Sequence, residues 1–124
     1  MSLDSIPETI ILDIDGTILK HQGDLYNINL NIPELLPGVK EKFDEWDKAS
    51  CKIILISGRR ESMRAVTEQH LRSLGLFWDQ LILGAGRGRR ILVNDMKPSS
   101  SEPTAVAVNL IRNEGFASMA KLLI

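Results

Sequence analysis

The chain is 124 residues long, 44% hydrophobic, 25% charged and 5% aromatic, which suits one compact domain over 1–124 and leaves no room for a second core of similar size. That composition excludes a disordered or fibrous chain, and a net charge of −1 argues against non-specific nucleic-acid binding. No apolar run reaches the roughly 20 residues of a membrane span, and MSLDSIPE lacks the marks of a signal peptide, so a cytoplasmic protein is expected. The near-neutral total conceals an asymmetry, because residues 1–58 hold ten acids against five bases while residues 59–124 hold six acids against ten bases. Such a chain can set carboxylates against arginines across one cleft, as a metal and an anionic substrate require.

Five strand-length apolar runs follow one another along the chain. Residues 9–14 (TIILDI) come first, and residues 16–36 read as a flap or short hairpin with Leu25, Ile28 and Ile32 as weak anchors. A helix is predicted after Pro37-Gly38, where Val39, Phe43 and Trp46 recur at helical spacing. Cys51 opens the next apolar run as a buried, inert thiol, and residues 52–57 (KIILIS) form the second strand. Residues 61–74 predict a second helix, with Met63, Val66, His70 and Leu71 or Leu74 on one stripe and Gly75 as its left-handed terminator. Strands at 80–83, 90–94 and 104–109 and a last helix at 116–123 complete the reading. Strands alternating with helices predict an α/β fold, a three-layer α/β/α sandwich with a parallel sheet whose functional edge lies at the strand C-termini.

The sharpest chemical feature is IILDIDGT, residues 10–17, where Asp13 and Asp15 end an otherwise apolar strand. Two neighbouring carboxylates repel, so they need a cation or must share a proton. Mg²⁺, which takes few carboxylates plus waters and phosphate oxygens, meets that need. A calcium loop fits poorly, since glycine falls at the fourth position and Asp24 stands where the twelfth-position Glu belongs. Ser57 and Gly58 end the second strand, and Asp95 follows the run 91–94.

The motif D-x-D-x-T at Asp13, Asp15 and Thr17, with Ser57 after the next strand and Asp95 after a later one, resembles the signatures of the haloacid dehalogenase superfamily. The stretch 90–115 looks like the end of its small capless members associated with capsule or lipopolysaccharide biosynthesis. The resemblance implies a Rossmann-like core without a cap domain and a Mg²⁺-dependent phosphomonoester hydrolase acting on a sugar phosphate through an aspartyl-phosphate intermediate. By that resemblance Asp13 is the nucleophile and Asp15 the general acid and base. Asp13, Asp15 and Asp95 hold the metal, while Ser57 and Gly58 donate to the phosphoryl oxygens. The lysine that usually neutralises the phosphate is missing; Lys97 is the first substitute, with Arg59, Arg87, Arg89 and Arg90 as others. An open site points to a bulky substrate or to a homo-oligomer in which a neighbour closes the cleft. The alternatives are a non-catalytic phosphate- or partner-binding module and a phosphotransferase.

Overall fold

Three parallel strands, β1 (Thr9–Asp13), β2 (Lys52–Ile56) and β3 (Gln80–Ile82), lie in the order β1-β2-β3 in a computed structural model that describes residues 6–23, 31–99 and 101–117. Helix α1 (Val39–Lys48) joins the first pair. A 3₁₀ turn (Glu61–Met63) running into α2 (Arg64–Ser73) joins the second. The protein is therefore mixed α/β, built from a small parallel sheet and two helices.

The pairing register aligns Ile10 with Ile53, Leu12 with Leu55, and Leu55 with Leu81. Because side chains alternate along a strand, these residues share one face, and all but the half-buried Ile10 are buried. Val39, Phe43 and Trp46 from α1 and Leu71 from α2 pack into the same apolar cluster. Both helices thus lie on one side of the sheet. Each step from strand to strand moves in the same direction, so right-handed crossovers put both helices on the same face. The opposite face carries Ile11, Ile54, Ile56 and Ile82, and Ile11 is 52% exposed. Among the described residues the expected third layer is not formed.

The predicted strand at 104–109 and the one at 90–94 are not strands either; Ile91 and Val93 are 77% and 88% exposed. The reason lies in chain length. Seven residues, 83–89, separate β3 from Arg90, and a parallel crossover takes about a dozen or more. Residues 88–99 and 101–107 instead form an arm whose two limbs meet where the Thr104 hydroxyl accepts from Asn94 Nδ2 and donates to the Asp95 carbonyl, and the chain returns to the core at Val108 and Leu110.

Other expectations hold locally. Gly75 takes φ +78 and ends α2, with its N–H donating to the Arg72 carbonyl. Thr67, and not Val66, shares the buried stripe with His70 and Leu71. Cys51 is buried. Within the stretch expected to form a flap, an antiparallel bridge joins Leu19 to Leu35, Ile18, Leu19 and Leu36 are buried, and Ile32 is exposed. Leu25, Ile28 and residues 118–123 of the predicted last helix lie outside the described residues. Among the described residues no helix is long and apolar enough to cross a membrane.

Candidate functional site

Asp13 and Asp15 stand at the C-terminal edge of the sheet, as the motif requires, but in different surroundings. After Asp13 the chain leaves the sheet in a tight turn in which the N–H groups of Thr17, Ile18 and Leu19 all donate to the Ile14 carbonyl. Gly16 takes φ +88, and an added Cβ would sit 3.1 Å from Arg112 Cγ, so this turn uses glycine for both its conformation and its closeness to the returning chain. The return is fixed by two bonds: the Asn113 N–H donates to the Gly16 carbonyl at 2.9 Å, and the Asn113 side chain accepts from the His21 N–H at 2.8 Å.

Asp15 meets an arginine. Arg59 Nε donates to Asp15 Oδ2 at 2.8 Å and Nη2 to Oδ1 at 2.6 Å, a two-pronged pair, while Nη1 donates to Thr67 Oγ1 at 3.0 Å. The Arg59 side chain is 3% exposed. A buried guanidinium so engaged is a structural counterion, so the Arg59 expected to grip a phosphate grips Asp15 instead. The same pair occupies both oxygens of the expected acid–base residue.

Asp13 keeps an accessible carboxylate. Burial pushes its pKa above the ordinary range, the Ile14 N–H lowers it, the Asp15 charge raises it, and Arg90 and Arg112 lower it in turn. Arg90 is held beside the loop by Nη1 donating to the carbonyls of Gly86 at 3.1 Å and Gly88 at 2.8 Å. The two cations in the field of Asp13 are therefore arginines. Nothing in the sequence spacing of Arg112 ties it to Asp13; the returning chain brings it there.

Ser57 is buried, and its Oγ accepts from the Arg59 N–H at 3.0 Å, closing a turn on itself. That turn is tied to the following loop by Ser57 N–H to the Ile82 carbonyl, Ala85 N–H to the Ser57 carbonyl and Gly84 N–H to the Arg59 carbonyl. Gly58 packs close to the Gly86 carbonyl. Asp95 and Lys97 lie on the exposed arm and are not among the charges that act on Asp13. Among the described residues no three acids, histidines or cysteines gather as a metal would require, so Asp95 does not join Asp13 and Asp15 there.

No family model matches the chain, and no curated protein matches it. A chain in the solved structure of the Pnkp1/Rnl/Hen1 complex superposes with a TM-score of 0.55 at 30% identity. The match covers 64% of this chain and 28% of that one. These findings correct the expected family: the resemblance to the haloacid dehalogenase superfamily, and to its capsule and lipopolysaccharide members, rested on short strand-end motifs and finds no counterpart in the comparisons. The three-residue pattern of acids and hydroxyls is short enough to arise at the end of any apolar parallel strand.

Proposed function

We propose that the chain is a cytoplasmic hydrolase of small phosphate monoesters in which Asp13 is the nucleophile. The observation that supports this most is the accessible Asp13 carboxylate at the C-terminal edge of the sheet, with Arg90 and Arg112 in its field. A carboxylate with a raised pKa is a stronger nucleophile once ionised, and two guanidinium groups suit the oxygens of a phosphoryl group. An Asp13 oxygen attacks phosphorus and the bond from phosphorus to the ester oxygen breaks, with the leaving alcohol taking a proton from solvent. Water then attacks the acyl phosphate at phosphorus, loses its proton to solvent, and releases inorganic phosphate and the free carboxylate. Asp15 has a positioning role, since both of its oxygens hold Arg59 and with it the Ser57-Gly58 turn. The described residues do not bring Asp95 beside Asp13; Mg²⁺ would there take the Asp13 carboxylate with waters and phosphate oxygens, and no step here runs through it.

Release of phosphate from an aryl phosphate and a panel of small phosphate esters, with and without Mg²⁺, tests the reading. Turnover that falls to background in Asp13→Asn supports it. Turnover that survives the substitution refutes the nucleophile, and phosphate binding without any turnover favours a non-catalytic phosphate-binding module.

A further inference from the structure

The loop after β3, GAGRGRR at residues 84–90, carries Arg87, Arg89 and Arg90, and no acid stands between Asp79 and Asp95. Like charges this close repel one another, and a carboxylate nearby would relieve them. Among the described residues no ion pair includes an arginine of this loop. A mobile anion supplied from solution is the remaining source of counter-charge.

The arginines of the loop are not equivalent. Arg90 turns back on the chain, its Nη1 donating to the carbonyls of Gly86 at 3.1 Å and Gly88 at 2.8 Å, and its charge acts on Asp13. Arg87 stands between those two glycines, so the residues on both sides of it touch the Arg90 guanidinium. Arg87 and Arg89 are exposed, and neither is among the charges that act on Asp13. A phosphoryl group at Asp13 is therefore met by Arg90 and Arg112, while Arg87 and Arg89 lie farther from it on the same loop.

That loop has a fixed seat. The Ala85 N–H donates to the Ser57 carbonyl at 3.0 Å and the Gly84 N–H to the Arg59 carbonyl at 2.7 Å. The Gly86 carbonyl lies 3.3 Å from where a Cβ on Gly58 would stand. Arg59 in turn holds Asp15. The backbone that carries Arg87 and Arg89 is thus placed relative to the end of β1 by a continuous set of contacts.

We propose that the substrate of this site carries a second phosphate besides the one that is cleaved, and that Arg87 and Arg89 bind it. This assignment rests on the reading of Asp13 as the nucleophile and narrows the substrate to a small compound with two phosphate groups. One phosphate is presented to Asp13 between Arg90 and Arg112, and the other to the outer arginines. Each guanidinium is a planar fork that can pair with two phosphate oxygens at once, so the second phosphate orients the substrate as well as attracting it. A diphosphorylated sugar and a nucleoside bisphosphate both offer this chemistry.

Calorimetric titration of Asp13→Asn, which on this reading does not consume its substrate, separates the possibilities with two matched pairs of compounds. The pairs are a hexose monophosphate against a hexose bisphosphate, and a nucleoside monophosphate against a nucleoside bisphosphate. At least one bisphosphate should bind about tenfold or more tightly than its monophosphate, as charge-assisted bonds to a further phosphate supply, and the ratio should shrink as salt rises. Adding Arg87→Gln and Arg89→Gln should bring that ratio close to one with circular dichroism unchanged, since both residues are exposed. The pair that shows the advantage assigns the second phosphate to a sugar or to a nucleotide. Equal affinities within both pairs, or an advantage that survives the loss of both arginines, overturns the proposal. Phosphate release by the wild type from the same compounds judges the nucleophile separately: bisphosphates that bind more tightly but are never hydrolysed would remove the chemistry of Asp13 and leave the second-phosphate site standing.

Discussion

Residues 52–56 and 90–94 read almost alike, KIILI and RILVN, yet one is the centre of the sheet and the other stands in solvent. The first has β1 on one side and β3 on the other, with two helices over one face. The second has no strand neighbour among the described residues. Apolar, β-branched composition therefore marks what a segment can become, and the length of the chain leading to it decides whether it finds an edge. β2 is reached through α1, and β3 through the 3₁₀ turn and α2. The arm follows a loop with no room for a helix.

Substitutions of matched kind should expose this contrast most strongly. Leu55→Ala, at a fully buried position, is expected to cost about 2–5 kcal/mol of unfolding free energy in urea melts. Val93→Ala should cost within about 0.5 kcal/mol at concentrations where the chain is monomeric. A large loss at Val93 that does not depend on protein concentration would mean that the arm packs within its own chain, and the comparison would fail.

Next in size is the pair that joins β1 to the loop after β2. Asp15→Asn leaves the buried Arg59 guanidinium without its counter-charge. Breaking a fully buried pair costs about 3–5 kcal/mol; because Asp15 keeps 20% side-chain exposure, water offsets part of that, and about 2–3 kcal/mol is expected in the same melts. Asp15→Asn with unchanged stability would show that the covered side of the site does not depend on this bridge.

The two-fold contrast also explains what could be read from the sequence. The helix of Val39, Phe43 and Trp46 was legible because its burial depends only on local spacing, and the apolar runs at 9–14, 52–57 and 80–83 because the connections between them, through α1 and through the 3₁₀ turn and α2, are long enough to lay them side by side. The run at 90–94 misled because composition was weighed without the seven-residue connection before it, a count that the sequence does contain. At the site, Asp13, Asp15 and the Ser57 turn were legible from their places after strands. The Arg59–Asp15 bridge and the approach of Arg112 were not, since both join residues more than 40 positions apart through a turn geometry that no local pattern encodes. The family expectation failed for the same reason as the fourth strand: short motifs were taken as carrying the architecture around them.

A smaller effect should follow from the end of α2. Gly75 has φ +78, and an added Cβ would lie 3.1 Å from Lys40 Cε, the movable part of an exposed side chain. Gly75→Ala should therefore cost on the order of 1 kcal/mol, mainly from backbone strain. A neutral result would mean that α2 can end in another conformation and that the covered face is more tolerant than its packing implies.

The smallest effect, and one of opposite sign, belongs to Asp13 on the open side. Its carboxyl is harder to ionise in the folded protein than in the unfolded chain, chiefly because burial disfavours the charge. As pH rises from the ordinary value of 3.8 through the higher folded midpoint, the wild type loses stability, and above that midpoint the loss is constant. Asp13→Asn carries no such charge, so its Tm should exceed that of the wild type at neutral pH, the gap should narrow as pH falls through the raised midpoint, and it should vanish below it. Catalysis should depend on the same ionisation in the other direction, with turnover rising as Asp13 becomes charged. A residue that weakens the fold in the form that reacts is what a nucleophile at an incompletely covered sheet edge should be, whereas a pH-independent Tm difference would place Asp13 among ordinary surface carboxylates.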